Sequence, residues 1–229
     1  MERKYYEAYD DRYRQIHAKN LQWFCDSPTP IVPETIREFG VRQDHTFLEL
    51  GCGEGRDAWP LLRAGYHLLA TDISAAVIHY AQNKWPEFSE QFAVLDCVAG
   101  DLPEKFDFIY AVAVLHMLVE DADRDRFYGF IREHLNPDGI ALICTMGDGE
   151  TEWQTDICTA FDLQLRTHEQ TGKEVQIAAT SCRMVDFDTF HTELKRNSLQ
   201  ILKEGITKAP PDFPVLMYVV VKGEQDDIH

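Results

Sequence analysis

Between residues 46 and 55 the apolar run Thr46-Phe47-Leu48-Glu49-Leu50 passes directly into Gly51-Cys52-Gly53-Glu54-Gly55. Few folds tolerate such a junction. The run reads as a strand, and glycines at alternate positions let the backbone turn through conformations that a Cβ would penalise. Ala58, Trp59, Leu61 and Leu62 then recur at helical spacing until Gly65 stops them. Strand, bare glycine turn and helix make the opening unit of an α/β sheet. In such a unit a ligand lies against exposed backbone, and the first N–H groups of the helix face its polar groups.

The alternation continues along the chain. Residues 66–71 read as a strand ending at Asp72, with Ser74 capping a helix over 75–83, and 92–95 as a strand ending at Asp96. Residues 106–115 are the most apolar run, predicted as a strand buried on both faces. A helix opens at Asp121 or Asp123, with Phe127, Phe130, Ile131, His134 and Leu135 on one stripe. Asn136-Pro137-Asp138-Gly139 marks a turn, 140–145 a fifth strand, and 199–206 and 215–221 two more around the loop Pro210-Pro211-Asp212-Phe213-Pro214. The predicted class is α/β, a doubly wound, mostly parallel seven-stranded sheet with helices on both faces.

The remaining segments read as additions to one domain over 1–229. Residues 3–25 suggest a helix carrying Tyr5, Tyr9, Tyr13 and Ile16 on one stripe, broken by Pro28 and Pro30, and 33–39 a second stopped by Gly40. Together, residues 1–40 form a helical cover. Residues 147–185 break the alternation and read as an insertion over the site, with strand character near 174–184, followed by a helix over 187–196. That placement follows from its departure at the carboxyl end of the fifth strand.

Composition narrows the partners. With 22 basic and 39 acidic side chains the net charge is −17, which repels phosphate backbones and anionic membranes, so neither nucleic acid nor a membrane is expected. No apolar stretch approaches the roughly 20 residues of a membrane span, and Met1-Glu2-Arg3-Lys4-Tyr5 lacks the apolar core of a secretory signal. The six cysteines include no C-x-x-C pair, against a zinc site or a disulfide framework. Reduced thiols, a cytoplasmic location and no metal are expected.

A dinucleotide site would require G-x-G-x-x-G, but position 56 is Arg. Acids at strand ends then become informative. Asp72 can accept from both hydroxyls of a ribose, or cap the turn ahead of Ser74. Asp96 can accept from an adenine amino group, with Asp101 competing for that role; Asp96 is preferred because it leaves more room for the loop before Asp107.

These features together resemble a known family. Phe47-Leu48-Glu49-Leu50-Gly51-Cys52-Gly53-Glu54-Gly55-Arg56-Asp57 is similar to the first motif of the class I S-adenosylmethionine-dependent methyltransferases, a Rossmann-like fold. Ala70-Thr71-Asp72-Ile73-Ser74 resembles their second-strand motif, and Phe106-Asp107-Phe108-Ile109-Tyr110 with Val114-Leu115-His116-Met117 their fourth strand and its loop. Leu135-Asn136-Pro137-Asp138-Gly139 resembles the turn before the fifth. Gly-Glu-Gly-Arg-Asp is most similar to the small-molecule enzymes of the tellurite-resistance and thiopurine type. The resemblance implies S-adenosylmethionine as cofactor and a small-molecule methyl acceptor, with a homodimer as an option. It also implies roles. Glu49 and the backbone of Gly51, Cys52 and Gly53 would hold the methionine part, and Asp72 the ribose. Ile73, Asp96 and Cys97 would flank the adenine, with Ala111 and Val112 beneath the sulfonium. Cys52 reads as a small filler rather than a reactive thiol.

Methyl transfer from a sulfonium requires mainly alignment and exclusion of water, so acceptor residues leave a weaker trace. His116 is the catalytic candidate because it follows the fourth strand and an ordinary imidazole suits proton transfer; its rate should then rise with pH through about 6.5. The other reading is a structural histidine or pocket wall. The N-terminal tyrosines and Trp23 suit either a lid or core, and Arg183 and Lys173 either an anionic acceptor or solvated charge. A protein that senses the cofactor without turnover, and a nicotinamide oxidoreductase, remain the alternatives.

Overall fold

In the computed structural model, which describes residues 3–23, 27–168 and 170–224, the run at 46–50 is strand β1 (Thr46–Leu50). It pairs in parallel with β2 (His67–Asp72), which is followed outward by β3 (Phe92–Val94). On its other side β1 pairs in parallel with β4 (Phe106–Val112), and β4 with β5 (Leu135–Met146). After β5 come two short antiparallel pairs outside this sheet, β6 (Trp153–Gln154) with β9 (Arg183–Met184) and β7 (Leu163–Thr167) with β8 (Glu174–Ala178). The hairpin β10 (Leu199–Ala209) and β11 (Phe213–Gly223) then returns to the sheet, with β11 antiparallel to β5. The order is β10-β11-β5-β4-β1-β2-β3, the seven-stranded, mostly parallel sheet expected. It reverses direction between β1 and β4, and a ligand crevice forms at such a point.

Strand alternation sends successive side chains to opposite faces, and helices cover both. Leu48, Leu50, Ile109 and Ala111 pack with Phe127 and Ile131 of α5 (Asp121–His134) and with Phe190 and Leu194 of α6 (Phe187–Arg196). Phe47, Phe108 and Tyr110 face the other way. They meet Ile31 and Ile36 of α2 (Ile31–Glu38), Leu61 and Leu62 of α3 (Ala58–Arg63), and Ile78 of α4 (Ala75–Lys84). Ser74 caps α4 as expected, its hydroxyl accepting from Val77 N at 3.1 Å. A 3₁₀ turn at Tyr5–Glu7 leads into α1 (Ala8–His17).

Several boundaries differ from expectation, among them the second helix, which starts at Ile31, and the last hairpin, whose strands run to Ala209 and from Phe213; three have a clear local cause. The N-terminal helix stops at His17, where Asn20 takes φ 54° and Leu21 N–H reaches back to Ile16 O at 3.3 Å. Asn tolerates that left-handed geometry, so it ends the helix as glycine would. The predicted continuation through Cys25 lies partly outside the described residues. The fourth strand ends at Val112 rather than 115, because Ala113 turns to φ 57° and the chain enters a 3₁₀ turn at Leu115–Met117. Asn136-Pro137-Asp138-Gly139 is a bulge inside β5: Phe106 pairs with Leu135, and Phe108 already with Ile140. Among the described residues no helix is long and apolar enough to cross a membrane, and no His, Cys, Asp and Glu cluster suits a metal ion.

Candidate functional site

A cavity opens at the carboxyl ends of β1, β2 and β4, where the strand order reverses. The glycine turn forms its floor. Gly53 has φ 53°, and a Cβ there would lie 2.8 Å from the Tyr13 hydroxyl, so α1 and the turn meet closely only if position 53 has no side chain. Gly53 N–H donates to Asp72 Oδ2 at 2.9 Å, and Ser74 N–H donates to Oδ1 at 2.9 Å. Asp72 therefore does brace the turn ahead of Ser74 while also lining the cavity, and each oxygen keeps a lone pair to offer. Burial pushes its carboxyl up to about 6 against the pull of the two N–H groups.

Around Asp72 the other expected residues converge. Glu49 lines the cavity with its carboxylate accepting from Tyr110 Oη at 3.0 Å, and burial, then Asp57, hold its carboxyl well above the usual range. Asp96 lines it too, accepting from Val98 N–H at 2.9 Å and Tyr6 Oη at 3.2 Å. Asp101 does not. Its side chain is 88% exposed and contacts His134 at 3.0 Å instead. Gly51, Cys52, Ile73, Cys97 and Val112 all lie on the wall. Burial raises the Cys52 thiol well above its ordinary value, so it stays protonated and inert, in keeping with a filler.

Ala111 is the exception. Strand alternation turns it to the opposite face, 1% exposed among core residues, and Ala113 and Val114 take its place on the wall. Two further acids contribute that sequence reading overlooked. Glu54 accepts from His17 Nε2–H and from Trp23 N–H, both at 2.8 Å, and Asp57 accepts from Thr29 N–H at 2.5 Å and Thr29 Oγ1 at 2.9 Å. Their partners come from the N-terminal segment, so only tertiary folding marks them out. With Glu54, Asp57, Asp72 and Asp96 against the guanidinium of Arg56, the lining carries an excess of negative charge even with Glu49 protonated. Arg56 itself lies 3.3 Å from Asp57 and 3.7 Å from Asp212.

A second cavity adjoins the first and shares Tyr9, Met117 and Phe213 with it. His116 faces this second space, not the first. Its ring is buried, and Nδ1 has no hydrogen-bond partner among the described residues. Burial, with Arg12 and then Arg124 adding repulsion, pushes the imidazole down to about 3. The group is therefore neutral across the physiological range.

Residues 153–182 supply much of the other side of this cavity through Trp153, Thr155, Arg166, Thr180 and Cys182. They are stitched to α1 by side chains. Tyr9 Oη donates to Ser181 O at 2.9 Å, and Arg12 Nη2 donates to Ala179 O at 2.6 Å and Thr180 Oγ1 at 2.5 Å. Of the N-terminal aromatics, Tyr6, Tyr9 and Tyr13 line the first cavity and Trp23 the second, while Tyr5 caps Val119 N–H and Glu120 N–H. The cations at the second cavity are Arg12 and Arg166 rather than Arg183 and Lys173. Arg183 donates to Val119 O at 2.7 Å and Asp121 at 2.6 Å, and Lys173 is exposed. No apolar signal identified Arg12, a charged residue three after Tyr9 and four before Ile16 on the same face of its helix.

A family model for the methyltransferase domain matches residues 48–141. The malonyl-(acyl-carrier protein) O-methyltransferase of Acetivibrio thermocellus is 28% identical over 106 residues, 44% of this chain and 35% of that protein. The chain thus spans about a third of that relative's length. Among solved structures, the 1,6-didemethyltoxoflavin-N1-methyltransferase of Burkholderia thailandensis has a TM-score of 0.69 at 15% identity, covering 98% of this chain and 92% of that one. A TehB-like SAM-dependent methyltransferase from Corynebacterium glutamicum has a TM-score of 0.58 at 18% identity, covering 96% and 98%. What these structures share with the chain is the fold.

Proposed function

We propose, from the methyltransferase domain model that matches residues 48–141 and the fold shared with solved methyltransferases, that this chain is a class I enzyme that transfers the methyl group of S-adenosylmethionine to a small molecule. One observation carries the reading: an acid-lined cavity at the reversal of the sheet opens onto a second cavity of different character. The donor set of the first fits the cofactor. Asp72 and Asp96 stand at strand ends with lone pairs for hydroxyl and amino donors, while Ile73 and Val98 offer apolar sides to a planar base. An excess of carboxylates suits a ligand bearing a sulfonium and an ammonium, and opposes a pyrophosphate. That opposition, with Arg56 at the third-glycine position, disfavours the nicotinamide reading.

When bound, the cofactor supplies an already activated methyl group. Glu49, Asp72 and Asp96 would hold it in the first cavity, and the acceptor would approach from the second. A protonated acceptor atom must then lose one proton, and His116, a weak base as long as burial holds it at about 3, is the ring on this wall through which it would pass. Tyr9, Met117 and Phe213 frame the passage between the cavities and exclude water from it. The N-terminal segment and residues 147–185 act as the cover.

A sensing role needs only the first cavity, so the second one favours turnover. The unpaired thiols of Cys52, Cys97, Cys144, Cys158 and Cys182 support a reducing, cytoplasmic setting. A homodimer belongs to the same proposal, and sedimentation would test it. The central experiment is calorimetry with S-adenosylhomocysteine, followed by transfer of labelled methyl to a small-metabolite extract. Failure of the demethylated cofactor to bind would overturn the reading.

A further inference from the structure

The two adjoining cavities differ in charge, and the second holds a guanidinium that no carboxylate among the described residues neutralises. Arg12 spends Nε and Nη2 on Ala178 O, Ala179 O and Thr180 Oγ1, all uncharged acceptors. Its Nη1 makes no hydrogen bond and the side chain no ion pair among the described residues. Arg166, also on the cavity wall and also without an ion pair there, adds to the positive field that acts on Arg12. Asp212 is the acid on this wall, and it lies 3.7 Å from Arg56. A partly buried cation with spare N–H donors and no counter-ion is satisfied by an anion brought in from outside.

The remainder of the wall is aromatic and thioether. Tyr9, Trp23, Trp153 and Phe213 surround the space with Met117 and Met146, and the Arg12 guanidinium lies 5.2 Å from the ring centres of both Tyr9 and Trp23. Flat apolar faces of this kind offer a planar ring surfaces to stack on. His116 adds an independent sign of an absent ligand, because it is buried on this wall with Nδ1 unpartnered.

We propose, resting on the methyl-transfer reading above, that the acceptor is a small aromatic carboxylate whose acid group is held by Arg12 Nη1. The ring lies among Trp23, Trp153 and Phe213, and the atom to be methylated points past Met117 toward the first cavity. The carboxylate is the handle, not the methylated group. This assigns the two cavities opposite electrostatic tasks: the acidic one admits a cation and the basic one an anion.

The test uses two matched series, benzoate, benzamide and benzylamine, and indole-3-acetate, indole-3-acetamide and tryptamine. Each is titrated calorimetrically into the protein saturated with S-adenosylhomocysteine. The carboxylate of each series should bind at least about tenfold more tightly than its amide, and the amine least. In Arg12→Met the preference should fall below about threefold while affinity for S-adenosylhomocysteine holds. Arg12 also joins α1 to residues 178–180, so the wild-type ranking stands as the test if that variant does not fold. Arg166→Gln, an exposed position, should then weaken the carboxylates alone. Amides or amines binding as well as acids, no binding in the millimolar range, or a preference that survives in folded Arg12→Met would overturn the assignment. Failure of S-adenosylhomocysteine itself to bind would instead overturn the methyl-transfer reading.

Discussion

Arg124 and Glu193 are joined by two parallel hydrogen bonds, Nε to Oε1 at 2.7 Å and Nη2 to Oε2 at 2.6 Å, although both residues are buried. Tyr128 Oη donates to the same carboxylate at 2.7 Å, and Arg124 Nη1 donates to Leu115 O at 3.1 Å and Leu118 O at 3.2 Å. One guanidinium thus ties α5 and α6 to the 3₁₀ turn that carries His116. It fixes where that imidazole stands without touching it.

Removing one partner of this pair should be costly. Glu193→Ala strands a buried guanidinium, and urea unfolding should show a loss of about 3–5 kcal/mol. The double variant Arg124→Met with Glu193→Leu should recover much of that loss, since no charge is then left unpaired. Equal losses in the single and double variants would show that packing, not charge, holds the helices here.

Asp72→Ala should weaken S-adenosylhomocysteine binding by more than tenfold, about 1.5–3 kcal/mol, while leaving the protein folded. Because burial raises this carboxyl to about 6, it is protonated below that pH and can no longer accept from two hydroxyls. Affinity should therefore fall as pH drops through 6. Stability of the ligand-free protein should move the other way. Between about 4 and 6 the folded state holds a proton that the unfolded state has lost, so this group's contribution to stability decreases as pH rises across that window. Calorimetry and unfolding at pH 5 and 7, on wild type and variant, read both effects.

His116→Ala should lower turnover by roughly 10²–10⁴ if the imidazole takes the acceptor's proton, with cofactor affinity held within about threefold. The ordinary histidine range is not where its titration falls. With its pKa depressed to about 3 the imidazole stays neutral, so turnover should show no inflection near 6.5 from this residue. The unfolded chain binds a proton here that the folded one refuses, so stability should drop as pH falls from about 6.5 toward 3. A pH–rate step near 6.5 that vanishes in His116→Ala would contradict the burial seen here.

If residues 147–185 and the N-terminal segment act as a cover, they should open more readily when the site is empty. Limited proteolysis should cut within these segments, and S-adenosylhomocysteine should slow the cutting. The bonds from Tyr9 and Arg12 to residues 178–181 predict that the two segments become protected together. Cutting that ignores ligand would remove the role.

The central sheet was legible in residue order because its signals are local. Phe47 to Leu50 alternates faces within one strand, Gly53 declares its turn by lacking a side chain, and Ser74 caps the helix that follows it. Asp72 was readable for the same reason: its partners at Gly53 and Ser74 belong to the turns on either side of the first two strands. Ala111 was misplaced because a strand's alternation does not declare which face meets the ligand. What residue order could not reveal depends on segments far apart. Tyr6 meets Asp96 across 90 residues, Arg124 meets Glu193 across 69, and Arg12 meets Thr180 across 168. Such pairings leave no period or spacing, because burial and desolvation exist only once the chain has closed. The first cavity is written in a strand, a turn and an acid. The charge and shape of its neighbour were decided by tertiary packing, which buried His116 and left Arg12 without a counter-ion among the described residues.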